Sequence, residues 1–137
     1  MLGETRWTWL EEEIKNNLSQ IIIIVDSIQV MSNFSAVVQP LFYVESWAHF
    51  PKERDRLLKL IADSNQSGVI SISGDVHCGE ITRYDCGVSY PLYDITSSGI
   101  TQAVEYAVLS SISFSSGEMC SKVDSEYYGS VRETLSF

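Results

Sequence analysis

The residues of this chain best suited to chemistry are Asp75 and His77, two positions apart in ISGDVHCGE, directly after an apolar run. In an extended segment, residues two apart share one side with Cα atoms roughly 6.5 Å apart. A carboxylate oxygen and an imidazole nitrogen can then converge on one ion or serve two adjacent ions. That donor pair suits zinc, iron or manganese. Gly74 allows the backbone to turn or to approach the site closely. Two ligands do not complete a site, since transition metals usually need at least three protein groups. The same residues also fit a strand-end turn in which Asp75 caps a backbone amide and His77 is half buried.

The elements that must position this pair are legible from periodicity. Residues 4 to 18 read as a helix, with Trp7, Leu10, Ile14 and Leu18 at steps of three and four and Glu4 in the first turn. Residues 21 to 25 form a continuous β-branched run, as expected of a strand buried on both faces. Residues 26 to 50 read as a long irregular segment, and long loops are often functional. Pro51 opens a second helix, through Leu57, Leu58 and Ile61 to about Ser64. Residues 69 to 73 read as a second strand. Residues 80 to 84 and 90 to 95 read as a hairpin joined through Asp85, Cys86 and Gly87. TSSG, at 96 to 99, reads as a turn, and 100 to 109 as a short helix. The last stretch, 110 to 137, holds nine serines and no clear period, so it reads as a loosely ordered tail. Helix, strand, helix, strand implies an α/β layer with parallel neighbours and a mixed sheet flanked by helices. Ligands gather at the carboxyl edge of such sheets, where Gly74 to His77 would lie.

Bulk properties narrow the function classes. With 137 residues, 45% hydrophobic, the chain is the size of one domain with a real core. A formal net charge of −9 disfavours nucleic acid and anionic membrane as partners, so handling phosphate would need cations. The aliphatic run is too short for a membrane span, and the start does not read as a signal peptide. Asn-x-Ser sequons at Asn17, Asn33 and Asn65 permit a secretory route. Cys78, Cys86 and Cys120 form no CxxC, so a structural zinc site built from them and His77 lacks the usual spacing.

Five blocks in order, MLGETRWTWLEEEI, SIQV, ESWAHFPKERDRLL, GVISISGDVHCGEI and YPLYDITSSGIT, resemble the PhoD-like alkaline phosphatases, a branch of the metallophosphoesterases, in their eukaryotic, plant-like form. The resemblance covers about residues 1 to 109. It implies the C-terminal half of a metallophosphoesterase-type α/β sandwich, with 110 to 137 outside it. It also implies that Asp75 and His77 are ligands at a two-metal site that hydrolyses phosphoric esters. Iron, calcium, zinc or manganese are the candidate ions, divalent or trivalent. Glu80 could orient His77 or face solvent on its strand, and Thr96, Ser97 and Ser98 could line the pocket. Glu45 and Trp47 fit a solvated acid and a core aromatic.

The chain departs from that pattern in informative places. Arg6 stands where the family usually has Gln, Asp26 where Ser is common, and Cys78 where an aromatic is more usual. The family's earlier ligand motifs, an Asp-x-His or Asp-x-Cys, a Gly-Asp block and an Asn-bearing block, are not found. The expectation is therefore an incomplete metal site with little or no activity in this chain alone, and no assigned catalytic residue. The alternative is a non-enzymatic truncated fragment or interaction module. A phosphate ester is the expected partner of a complete domain.

Overall fold

A computed structural model describes residues 2–32, 45–77 and 79–98 in full, and the backbone of three short strands at 121–123, 126–128 and 131–133. The elements are α1 (Glu4–Asn16), β1 (Ile22–Val25), a 3₁₀ turn (Trp47–His49), α2 (Pro51–Asp63), β2 (Val69–Ser73), β3 (Gly79–Tyr84), β4 (Leu92–Ser97), β5 (Ser121–Val123), β6 (Glu126–Tyr128) and β7 (Val131–Glu133). The fold is α/β, as the periodicity implies.

α1 buries Trp7 and Ile14 as expected. It ends before Leu18, which is 99% exposed. The Asn17 side chain accepts the Ser19 N–H at 2.7 Å, a local turn that competes with a further helical hydrogen bond. α2 places proline in its first turn and buries Arg54, Leu57, Leu58, Leu60 and Ile61. The helices are joined by Glu53, whose carboxylate accepts the Trp7 indole N–H at 2.9 Å. Arg56 lies over the Trp7 ring, 4.5 Å from its centroid, and donates to Glu4.

The main sheet runs β1-β2-β4-β3-β7. β1, β2 and β4 are parallel, so their carboxyl ends share one edge. β3 lies antiparallel between β4 and β7. β5 and β6 form a separate two-stranded ribbon. Gly68 opens β2 against the Gln20 carbonyl, which a Cβ would overlap. Glycine there is a matter of space.

Register gives the sheet two unlike faces. The covered face starts with Val69, Leu92 and Tyr84, which pack with Trp7, Ile14, Leu57 and Ile61 in the core. Towards the carboxyl edge it turns polar, in two rows across the strands. Ser71, Asp94 and Thr82 are aligned, and then Ser73, Thr96 and Glu80. All six are buried. The opposite face carries Ile23, Ile70, Tyr93 and Arg83 in one row and Val25, Ile72, Ile95 and Ile81 in the next.

Several expectations are corrected. β1 is not buried on both faces, since Ile23 is 56% and Val25 74% exposed while Ile22 and Ile24 face the core. The two described helices pack on one side of the sheet. Thr96 and Ser97 close β4 rather than form a turn, because pairing with Ser73 and with β3 carries the strand to Ser97. Within the stretch read as a tail, β7 joins the main sheet beside β3. Residues 33–44, Cys78, the helix expected at 100–109 and Cys120 lie outside the described residues.

Candidate metal centre at the carboxyl edge

The chain leaves β2 at Ser73 and turns at once. Asp75 has φ of 64° and His77 φ of 56°, both left-handed. The extended geometry assumed for an Asp-x-His pair therefore does not apply, because the strand has already ended. Gly74 is not the residue under constraint. A Cβ at Gly74 would meet the Ser27 oxygen at 3.7 Å and the Ser98 Cβ at 3.8 Å, ordinary contact distances. The uncommon conformation falls on the two residues with chemistry. Asp and His tolerate it better than most side chains, at some cost.

The turn is held from the residue that follows β4. The Val76 N–H donates to Ser98 Oγ at 3.1 Å, anchoring the Asp75–Val76 peptide. Among the described residues, neither flanking side chain takes part in a hydrogen bond or ion pair. Asp75 therefore does not cap an amide, and its carboxylate is exposed. His77 is half buried. Both retain their donor atoms for a ligand.

Behind the turn sits a carboxylate that the sequence motifs did not point to. Asp94 is fully buried in β4. One of its oxygens accepts the N–H groups of Val30 and Met31, at 2.7 and 3.0 Å. The other accepts from Ser73 Oγ at 2.8 Å. Asp94 thus ties the segment after β1 to the last residue of β2, one position before Gly74. Gln29 covers the adjoining row, donating to Glu80 at 2.8 Å and to Thr96 at 3.0 Å. Thr96 Oγ1 lies 2.9 Å from Ser73 Oγ, and Thr82 donates to the other Glu80 oxygen at 3.1 Å.

The expected site residues therefore separate. Asp75, His77 and Ser98 come together at the edge. Ser97 ends β4 exposed. Thr96 and Glu80 are buried beneath, and Glu80 bonds Gln29 and Thr82 instead of His77 or solvent. Trp47 is buried and Glu45 exposed. Asp26, the unexpected acid after β1, accepts the Ile28 N–H at 3.1 Å and so serves a turn at the same edge. Cys86 is disulfide-bonded, which removes it from any zinc set. A signal for Asp94 was present in the alternation of LYDITS, which puts an acid on the same face as Leu92.

The donor chemistry of Asp75 and His77, one carboxylate and one imidazole, fits a hard or borderline cation. Among the described residues no group of three or more His, Cys, Asp or Glu could hold a metal. No helix among them is long and apolar enough to cross a membrane.

Comparison with known proteins bears on the family and the fold. The family model described as PhoD-like phosphatase matches residues 1–134. Alkaline phosphatase D of Bacillus subtilis (strain 168) is 26% identical over 78 residues, 56% of this chain and 13% of that protein. A solved structure titled "Structure of PhoD" superposes with a TM-score of 0.58 at 21% identity, over 73% of this chain and 20% of that one. The chain therefore spans a small part of the length of these relatives. Five ordered sequence blocks, a matching sheet and a family match over nearly every residue lead to one conclusion: the chain belongs to the PhoD-like phosphatase family.

Proposed function

We propose that Asp75 and His77 supply part of the metal-binding site of a phosphate-ester hydrolase, and that this chain alone turns over little or no substrate. The observation carrying the first half is that both residues take a left-handed conformation, with uncommitted donor atoms, beside a glycine that does not. Such conformations persist where surrounding structure enforces them, and they concentrate at functional sites. The second half follows from the donor count, since two ligands hold a transition metal weakly.

When bound, metal ions would hold the phosphate, provide an activated water and offset charge on phosphorus. The chain's own residues do the rest. Asp75 offers carboxylate oxygens and His77 an imidazole nitrogen. Ser98 and the Val76 amide hold the turn that presents them. Ser97 and Ser98 offer hydroxyls at the same edge, while Thr96 and Glu80 support the strands from below. Divalent or trivalent cations, among them iron, calcium, zinc and manganese, suit a chain of net charge −9 that must accept an anionic ester. The disulfide at Cys86 and the Asn-x-Ser sequons favour an oxidising, secretory setting.

Two measurements test the proposal. Titration with Mn²⁺ is expected to show weak binding that Asp75→Ala and His77→Ala each remove. Undiminished binding in both variants would overturn the ligand assignment. Assay with p-nitrophenyl phosphate and added divalent metal is expected to show no turnover above background. Turnover that disappears in Asp75→Ala would overturn the claim that the chain is inactive alone.

A further inference from the structure

We propose that Asn65 is an N-glycosylation site, the acceptor of an oligosaccharide delivered as its lipid diphosphate in an oxidising secretory compartment. The inference rests on the secretory setting proposed above and does not depend on the metal reading.

Three observations converge on Asn65. It opens an Asn-Gln-Ser sequence with no proline in the middle, the acceptor pattern for glycans on surface loops of secreted proteins. It is exposed in the turn that follows α2, and so is Ser67 two positions on. Cys86 is disulfide-bonded, and disulfides persist in the compartments where such transfer takes place.

The turn is held on its inner side and open on its outer side. The Gln66 amide donates to the Asn17 carbonyl at 2.9 Å and to the Ile14 carbonyl at 3.3 Å, while its N–H donates to Ser64 Oγ at 3.3 Å. Gly68 follows, against the Gln20 carbonyl. Among the described residues, neither the Asn65 nor the Ser67 side chain has a hydrogen-bond partner. Helix termination explains only one of the two. Asn65, with φ of 58°, follows the α2 C-cap Ser64, a position that glycine usually takes and asparagine sometimes. That accounts for the asparagine and gives Ser67 no task. The acceptor pattern accounts for both.

Asn17 begins the other such sequence among the described residues, but it is half buried and its Oδ1 already accepts the Ser19 N–H. Asn65 is the more open acceptor. It also lies away from the metal edge. Its turn leads into the amino end of β2, and the five residues of that strand put roughly 16 Å between it and the carboxyl edge that carries Asp75 and His77. In the transfer, Asn65 Nδ2 bonds to the anomeric carbon of the sugar as the bond from that carbon to the lipid diphosphate breaks. The diphosphate leaves with the bonding pair, and the proton lost from Nδ2 passes to solvent.

The test is secretion of the full chain from a eukaryotic host behind a secretion leader, then digestion with peptide N-glycosidase in heavy-oxygen water. That enzyme leaves a heavy-oxygen label wherever a glycan was attached, and mass spectrometry of the peptide holding residue 65 reads it. Most secreted wild-type chains are expected to carry the label there. Ser67→Ala should reduce it to background, and Ser67→Thr should retain it. Asn65→Gly removes the acceptor with a residue that suits φ of 58°, so it should fold and lose one step of glycan-dependent gel mobility. An unlabelled Asn65 in the secreted wild type, or a label indifferent to Ser67→Ala, overturns the inference. Alkylation of the same sample separates the two causes of failure. An oxidised Cys86 beside a bare Asn65 overturns the acceptor assignment and leaves the oxidising setting standing. A reduced Cys86 overturns the setting and the inference together. None of these measurements reads metal binding or phosphate turnover, so failure here leaves the metal-site proposal standing.

Discussion

Asp94 and Asp75 are carboxylates at the same end of the same sheet, used in opposite ways. Asp94 is buried and accepts from two backbone amides and a hydroxyl. Asp75 is exposed, accepts from no donor among the described residues, and sits in a conformation that costs energy. A buried carboxylate must have every lone pair engaged to offset lost hydration, so its position follows from the structure around it. An exposed carboxylate with free oxygens has no such obligation. Construction and chemistry are thus divided between two layers of one edge, with Ser73 and Gly74 at the boundary. The lower layer ties the strand ends together, and the upper layer is the one we propose to bind metal.

The comparison breaks most readily at Asp94. Asp94→Ala removes the acceptor for Val30, Met31 and Ser73 and leaves buried donors without partners. Loss of about 3 kcal/mol is expected from unfolding in urea, given the cost of buried unsatisfied groups. A loss below about 1 kcal/mol, within the range of an ordinary surface change, would show that Asp94 is not structural. Asp94→Asn keeps the shape, exchanges one acceptor for a donor, and should fall between the wild type and alanine.

Gln29→Ala tests the same layer with a smaller effect. It removes the amide that donates to Glu80 and Thr96, at a cost of about 1–2 kcal/mol. The Gln29 carbonyl oxygen is itself buried without a partner, so its removal returns part of that cost. Metal binding at Asp75 and His77 should weaken less than stability does if the two layers are as separate as their hydrogen bonds indicate.

Much of the lower layer was legible in the sequence as pattern and very little as chemistry. The helices and strands followed from Trp7, Ile14, Leu57 and Ile61 at helical spacing and from the β-branched runs. The edge location of Asp75 and His77 followed from β2 ending at Ser73. Two features were not legible. An exposed apolar face looks the same in sequence as a buried one, because the residue types in IIIIV are identical whichever side is covered. The turn at Asp75 was hidden because GDVH carries an obvious glycine, and local reasoning assigns the unusual backbone to it. The turn that holds the left-handed residues accepts its hydrogen bond at Ser98, just past β4 and more than twenty residues away. Register likewise decided the fate of TSSG, which holds turn-forming residues but is drawn into β4 by pairing on both sides.

The upper layer has its own signature, of the opposite sign. Asp75→Gly places at φ 64° the one residue with no Cβ penalty there. Stability should rise by about 0.5 kcal/mol, as relief of backbone strain slightly outweighs the greater entropy of glycine in the unfolded chain. The same variant should lose Mn²⁺ binding. Gain of stability with loss of ligand is the pattern of a residue retained for function. A loss of stability above about 1 kcal/mol would place Asp75 with Asp94 instead, as a structural acid.

The smallest effect concerns a third carboxylate, Glu4, which is neither buried nor free. Arg56 donates to both its oxygens, at 2.9 to 3.1 Å, while also reaching Glu11 at 3.6 Å and covering the Trp7 ring. The hydrogen bonds from Arg56, and secondarily its charge, hold the Glu4 carboxyl below the ordinary glutamate range. A folded-state value lower than the unfolded one means that the unfolded chain binds the proton more readily. The pair therefore stabilises α1 against α2 fully above the unfolded value, and loses that contribution as pH falls through the lowered folded value. Both partners are solvent-exposed, so the contribution is small and screened by salt. Glu4→Gln should lower stability slightly near neutrality and not at all in strong acid, and molar salt should narrow the difference at neutral pH. A difference that persists unchanged into acid would show that Glu4 acts through packing and not through its charge, and the ranking of the three carboxylates by engagement would need a new basis.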